Sequence, residues 1–129
     1  MGRRPSPTLT TVELEFMQVL WARGELSTEE VQHALRAGGH ELSDGSVRKV
    51  LAILMRKGYV TRTPSGRGFR YRARVDARRA RGSLVLDLLK RAFGGSAALM
   101  LAAIIDARAV KKSDLAEIRR LIAEREVRP

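Results

Sequence analysis

The sequence predicts a mainly α-helical chain with one small β-hairpin, on three observations. Helix starts recur near residues 10, 27 and 43; the apolar period changes from helical to alternating between residues 59 and 75; and it becomes helical again beyond residue 76. Each element has its own punctuation.

Thr10-Thr11-Val12-Glu13 has the spacing of a capping box, so a first helix is expected from about Thr11 to Arg23. Leu14, Met17, Leu20 and Trp21 form its apolar stripe, with Trp21 assigned to the core, and Gly24 supplies a left-handed stop. Ser27-Thr28-Glu29-Glu30 is a second capping box, opening a helix through Val31, Ala34 and Leu35 that ends at Gly38-Gly39. Between the two helices, Leu26 is placed for a one-residue strand pairing. Ser43 caps a third helix with Val47, Val50, Leu51 and Leu54 turned inward, ended by Gly58.

Tyr59-Val60-Thr61-Arg62 suits a strand, and Thr63 to Gly68 a turn. The next strand alternates, with Phe69, Tyr71, Ala73 and Val75 on one side and Arg70, Arg72 and Arg74 on the other. Three short helices and a two-stranded hairpin are the plan of a winged helix-turn-helix, expected over residues 10–75 after a flexible basic arm over residues 1–9. Residues 76–129 carry three more helical segments: about Arg78 to Phe93, Ala97 to Ala107 and Asp114 to Glu126. Gly94-Gly95-Ser96 separates the first two, and Ser113 is the expected cap of the last. So short a helical region cannot close a core alone. A second copy of the chain is the simplest cover, with Leu84, Leu88, Leu89, Phe93, Leu101, Ile104, Ile105, Leu115, Ile118, Leu121 and Ile122 as the dimerisation face.

Charge is sorted along this plan. The chain of 129 residues has a net charge of +11, and Gly45 to Val75 holds nine basic side chains with no Asp or Glu. Thr10 to Asp44 holds seven acids against two bases. A domain with an acidic back and a basic helix and hairpin suits a polyanionic partner. With Val47, Leu51 and Leu54 inward, the third helix turns Gly45, Arg48, Lys49, Ala52 and Arg56 outward, with Ser46 at the margin. Small residues permit close approach to a major groove, and Arg or Lys donates to guanine acceptors. Arg56 and Lys57 are expected on backbone phosphates, and the wing, with Arg67 at its glycine-flanked tip and Arg70 behind it, on the backbone or in the minor groove, as positioning more than reading contacts. Arg3 and Arg4 extend this surface if the arm orders on DNA.

Other functions find little support. Cysteine is absent, no Ser-His-Asp ordering, phosphate loop or HExxH is present, and His33 and His40 have no metal-ligand spacing around them. No catalytic site, cofactor or metal is expected. Met1 to Pro7 lacks the apolar core of a signal peptide, and the longest apolar run, Ala97 to Ile105, is about half of a bilayer span. That run is expected as a buried helix, without a membrane, in a cytoplasmic protein.

Several separated segments also resemble the penicillinase-repressor family (BlaI/MecI/CopY type): Leu9 to Trp21, Leu26 to Val31, Ser46 to Val60, Gly66 to Tyr71, and Phe93-Gly94-Gly95-Ser96. The likeness spans most of residues 9 to 124. It implies a bacterial homodimeric repressor that holds an inverted-repeat, palindromic operator in double-stranded DNA through two winged helices and dimerises through its C-terminal helices. It also places Ser46, Lys49 and Ala52 where family members present base-facing side chains. Ile53 departs from the Arg often found at its position. Family members induced by β-lactam are cut at an Asn-Phe bond and the copper-responsive branch uses a cysteine pair, whereas this chain has neither Asn nor Cys. A regulatory protease as partner and the inducing signal therefore stay open. The alternative function is a non-specific RNA-binding or nucleoid-associated protein on the same basic surface.

Overall fold

A computed structural model describes residues 9–127 of the chain, so the basic arm expected over residues 1–9, with Arg3 and Arg4, lies outside the described residues except for Leu9. The order is α1 (Thr11–Arg23), β1 (Leu26–Ser27), α2 (Thr28–Ala37), α3 (Asp44–Lys57), β2 (Val60–Ser65), β3 (Gly68–Ala73), α4 (Ala77–Phe93), α5 (Ala97–Asp106) and α6 (Lys112–Val127). The fold is mostly helical with one three-stranded antiparallel sheet in the order β1-β3-β2.

Local chemistry sets the helix starts. The Thr10 hydroxyl accepts from the Glu13 N–H at 3.1 Å while the Glu13 carboxylate accepts from the Thr10 N–H at 3.1 Å, closing the first capping box. Ser27 and Glu30 repeat the arrangement at α2, and Ser43 caps α3 by accepting from the Ser46 N–H. Gly58, at φ 90° and ψ 11°, ends α3 in the left-handed conformation and turns the chain into β2. Asp76 accepts from the Arg79 N–H at 2.8 Å and starts α4. Ser96 caps α5 through the Leu99 N–H. Ser113 does not cap α6: that helix begins at Lys112, so Ser113 lies inside its first turn, and the Asp114 carboxylate accepts from the Lys111 N–H instead.

The hairpin is tighter than the sequence suggests. β2 continues through Pro64 and Ser65, which pair with Phe69 and Gly68, leaving only Gly66 and Arg67 as the loop. Proline is tolerated there because β2 is an edge strand, whose outward positions need no N–H. Gly66 alone of the two loop residues has positive φ, 58°, the pattern of a II′ turn that matches strand twist. The pairing expected at Leu26 extends over two residues, with Leu26 opposite Tyr71 and Ser27 opposite Arg70.

Two compact units divide between Asp87 and Leu88, twelve residues beyond the boundary expected at 75–76. The reason lies at the start of α4, where Ala80 is buried in the same core as Phe16, Met17, Leu20, Val31, Leu35, Val47, Leu51, Leu54 and Tyr59. Trp21 is half-buried at the edge of that core, where its indole N–H donates to the Val75 carbonyl at 2.9 Å.

The second unit holds the rest of α4 with α5 and α6. Within the single chain α5 buries no residue, contrary to the buried helix expected over Ala97 to Ile105. Three short amphipathic segments offer too little surface to cover one another, so Leu99, Leu101, Ile104 and Ile105 stay exposed. Among the described residues no single helix is long and apolar enough to cross a membrane.

Candidate nucleic-acid interface

Helix α3 buries Val47, Leu51 and Leu54 and half-buries Val50. That orientation leaves Gly45, Ser46, Arg48, Lys49, Ala52 and Arg56 exposed along the opposite side. Of these, Arg48 is partly neutralised: its Nε lies 2.7 Å from the Asp44 Oδ2, one helical turn away. The hydrogen bond that Arg48 donates to that carboxylate, reinforced by the carboxylate charge, raises the Arg48 guanidinium above its ordinary pKa. The Ser46 hydroxyl oxygen accepts a hydrogen bond from the Ser43 hydroxyl at 3.0 Å, which orients it at the start of the helix.

Lys57 departs from its expected role on DNA backbone. Its Nζ lies 2.7 Å from the Glu13 Oε1, with the Glu13 side chain only 8% exposed and the Lys57 side chain 25%. The last turn of α3 is thereby tied to the first turn of α1, and the ammonium serves the fold. The same Glu13 charge adds to burial in raising the pKa of the Tyr59 hydroxyl, with burial the larger cause.

The wing carries the remaining expected contacts. Arg67 stands exposed at the two-residue tip. Arg70 does not stand free behind it: its guanidinium lies 3.3 Å from Glu25 and 3.1 Å from Glu30, and also donates to the Glu25 carbonyl at 2.8 Å. Arg72 approaches Glu25 at 3.9 Å. The acids come from the turn after α1 and the start of α2, which β1 pairing brings beside β3. Glu30 is held below the usual carboxylate range, first by the Ser27 N–H, then by the Ser27 hydroxyl, with Arg70 adding to both. A cleft of about 390 Å³ opens among Thr28, Arg48, Arg67, Phe69 and Arg70, joining α2, α3 and the wing tip.

One wing cation escaped the sequence reading. Arg62 pairs with Tyr71 in register and so shares the face of the buried tyrosine, not that of Arg70 and Arg72. Its guanidinium sits 3.7 Å from the Phe69 ring centroid and donates to the Tyr71 hydroxyl at 3.3 Å. The signal was present in the two-residue spacing of Val60 and Arg62, which puts both on one face, but the strand was too short and too polar for its faces to be told apart.

The expected dimerisation residues lie in α4, α5 and α6. Leu88, Leu101, Ile104, Ile105, Leu115, Leu121 and Ile122 are exposed in the single chain, and Leu84, Leu89, Phe93 and Ile118 are half-buried. Val85, Leu86 and Leu99 join them as exposed large apolar side chains. Among the described residues no group of three or more His, Asp or Glu side chains is arranged to hold a metal ion.

Comparison with known proteins agrees with this architecture. The solution structure of the DNA-binding domain of the repressor BlaI is similar at 28% identity and a TM-score of 0.51, over 58% of this chain and 90% of that one. A mutant MarR from E. coli shares the fold at 14% identity and a TM-score of 0.53, covering 90% of this chain and 76% of that one. An uncharacterised 16.5 kDa protein of Latilactobacillus sakei is 25% identical over 114 residues, 88% of this chain and 77% of the relative. The fold and the family are those of winged-helix transcriptional regulators. The profile of the penicillinase repressor family matches residues 9–124, and the chain belongs to that family.

Proposed function

We propose that the protein is a sequence-specific transcriptional repressor that acts in the cytoplasm as a homodimer on an inverted-repeat operator. The observation that carries this reading is the exposed side of α3, where Ser46, Lys49, Ala52 and Arg56 are presented beside a wing tipped by Arg67 while Val47, Leu51 and Leu54 anchor the helix from behind. Lys49 and Ser46 are the base-facing candidates, and Ala52 leaves room for the groove wall. Arg48, Arg56 and Arg67 hold the backbone, and their phosphate contacts set register more than sequence. Arg70, with its acidic partners, acts mainly to fix the wing against α2.

The exposed aliphatic residues of α4, α5 and α6 support self-association, which would present two α3 helices to successive major grooves about 34 Å apart. The relative BlaI is itself a repressor with a DNA-binding domain of this fold. Selection of bound sequences from a random duplex pool tests the reading. An enriched inverted repeat with half-sites about one helical turn apart is the expected result. Equal retention of unrelated duplexes and structured RNA would favour a non-specific coating protein instead.

A further inference from the structure

Of the basic side chains on the wing, Arg70 and Arg72 have carboxylate partners, whereas Arg62 and Arg67 have none among the described residues. Arg67 stands at the loop, with nothing to hold its guanidinium. Arg62 differs from both. It is exposed, it keeps its full charge, and it is held in place: Phe69 lies under the guanidinium plane and the Tyr71 hydroxyl accepts one of its N–H groups.

The position of this stack in the fold matters. The face of the sheet that carries Val60 and Tyr71 is buried against the helices, but Phe69, two residues nearer the tip than Tyr71, is already 37% exposed. The wing therefore projects past the core at the level of Phe69, and Arg62, opposite the buried Tyr71 at the base of that projection, reaches its guanidinium outward over the Phe69 ring, on the face that continues the core side of the sheet. An aromatic ring under a guanidinium leaves its outer N–H groups unsatisfied and aimed at solvent, while restricting the rotamers that a flexible arginine must otherwise lose on binding.

We infer that Arg62 is a preorganised phosphate contact of the wing, with Phe69 and Tyr71 as the residues that position it. The inference rests on the DNA-binding reading and adds to it a cation whose contribution comes from being held without being neutralised. The partner atom is a phosphate oxygen of the duplex backbone, because a planar guanidinium with free N–H groups matches it and because a contact this near the wing tip carries register, not base identity.

The test is the salt dependence of duplex binding by the full-length protein and three variants. Arg62→Gln keeps a polar N–H side chain at the position but removes the charge, and its log K against log salt slope is expected to be shallower than wild type by about 0.9. Arg62→Lys is expected to restore that slope with several-fold weaker binding, since an ammonium stacks less well and presents no planar fork. Phe69→Leu keeps the charge and loses the platform, so the slope should stay at the wild-type value while affinity falls several-fold. Thermal melting of each variant confirms that the wing remains folded, Arg62 being a surface residue.

A wild-type slope in Arg62→Gln overturns the inference while leaving the DNA-binding reading intact. A Phe69→Leu variant with undiminished affinity overturns the positioning role. Salt-independent binding by the wild type overturns the DNA-binding reading and this inference with it.

Discussion

The Glu13 carboxylate and the Lys57 ammonium meet at 2.7 Å across 44 residues of chain, with Glu13 buried beneath the pair. The same carboxylate oxygen accepts from the Thr10 N–H, so one side chain closes the cap of α1 and fastens the end of α3. The helix proposed to enter the groove is thus braced at its far end by the helix that opens the domain.

Replacing Lys57 by Met leaves the Glu13 charge buried without its counter-ion. A fully buried pair broken from one side costs roughly 3–5 kcal/mol. Lys57 is a quarter exposed and water relieves part of the loss, so about 2 kcal/mol is expected, read as a lower urea midpoint at unchanged m-value. The salt slope of DNA binding should not move, because this ammonium is committed to the fold. A slope reduced by a full unit would return Lys57 to the phosphate contacts.

Lys49 is exposed on α3 with no ion pair among the described residues. Lys49→Ala is expected to relax preference at one position of each half-site by about 1–3 kcal/mol, with little effect on stability. Affinities for a set of single-base operator variants measure this. Uniform weakening across the set would make Lys49 a backbone contact instead.

The Glu30 carboxylate gives the start of α2 a pH dependence. Its folded pKa lies below the ordinary value of 4.5, chiefly because the Ser27 N–H donates to it. A carboxylate depressed in the folded state contributes stability that is complete above its unfolded value and is lost as pH falls through the folded value. Glu30→Gln keeps the capping geometry without the charge, so wild type should be the more stable at neutral pH and the difference should vanish in acid. Unfolding midpoints from pH 7 down to pH 3 decide the matter; a gap independent of pH would remove Glu30 from the acid response.

Ile105 and Ile122 are 53% and 49% exposed in the single chain. If they belong to a dimer face, Ile105→Asp with Ile122→Asp should yield a monomer by sedimentation while the first unit keeps its near-ultraviolet spectrum. Loss of the second half-site contact then weakens operator binding by roughly 10²-fold or more. A double variant that still sediments as a dimer would place the interface elsewhere.

Much of the fold was legible because its signals are local. A capping box spans four residues, as at Thr10 with Glu13 and Ser27 with Glu30, and neither partner depends on the rest of the chain. The same holds for the inward Val47, Leu51 and Leu54, whose spacing alone orients α3. Where two local devices compete, the sequence alone does not decide between them. At α6 the Asp114 carboxylate, inside the helix, accepts from the Lys111 N–H just ahead of it where Ser113 was expected as the cap, and Pro64 sits inside β2 where a turn was expected. Both choices turn on which neighbour the backbone meets, and composition does not state that.

By itself the sequence determined the succession of helices and hairpin, the inward side of the third helix, and a basic surface in one stretch of chain. Tertiary structure alone decided which of those charges remain available. Lys57 meets Glu13, and Arg70 meets Glu25 and Glu30, only because strand order and helix packing bring together residues about forty or more positions apart; Arg62 is held by aromatic rings only because antiparallel register sets it opposite Tyr71. The physical reason is range: caps and periodicity act within a few residues, whereas an ion pair exists or fails according to distances that only the folded chain defines.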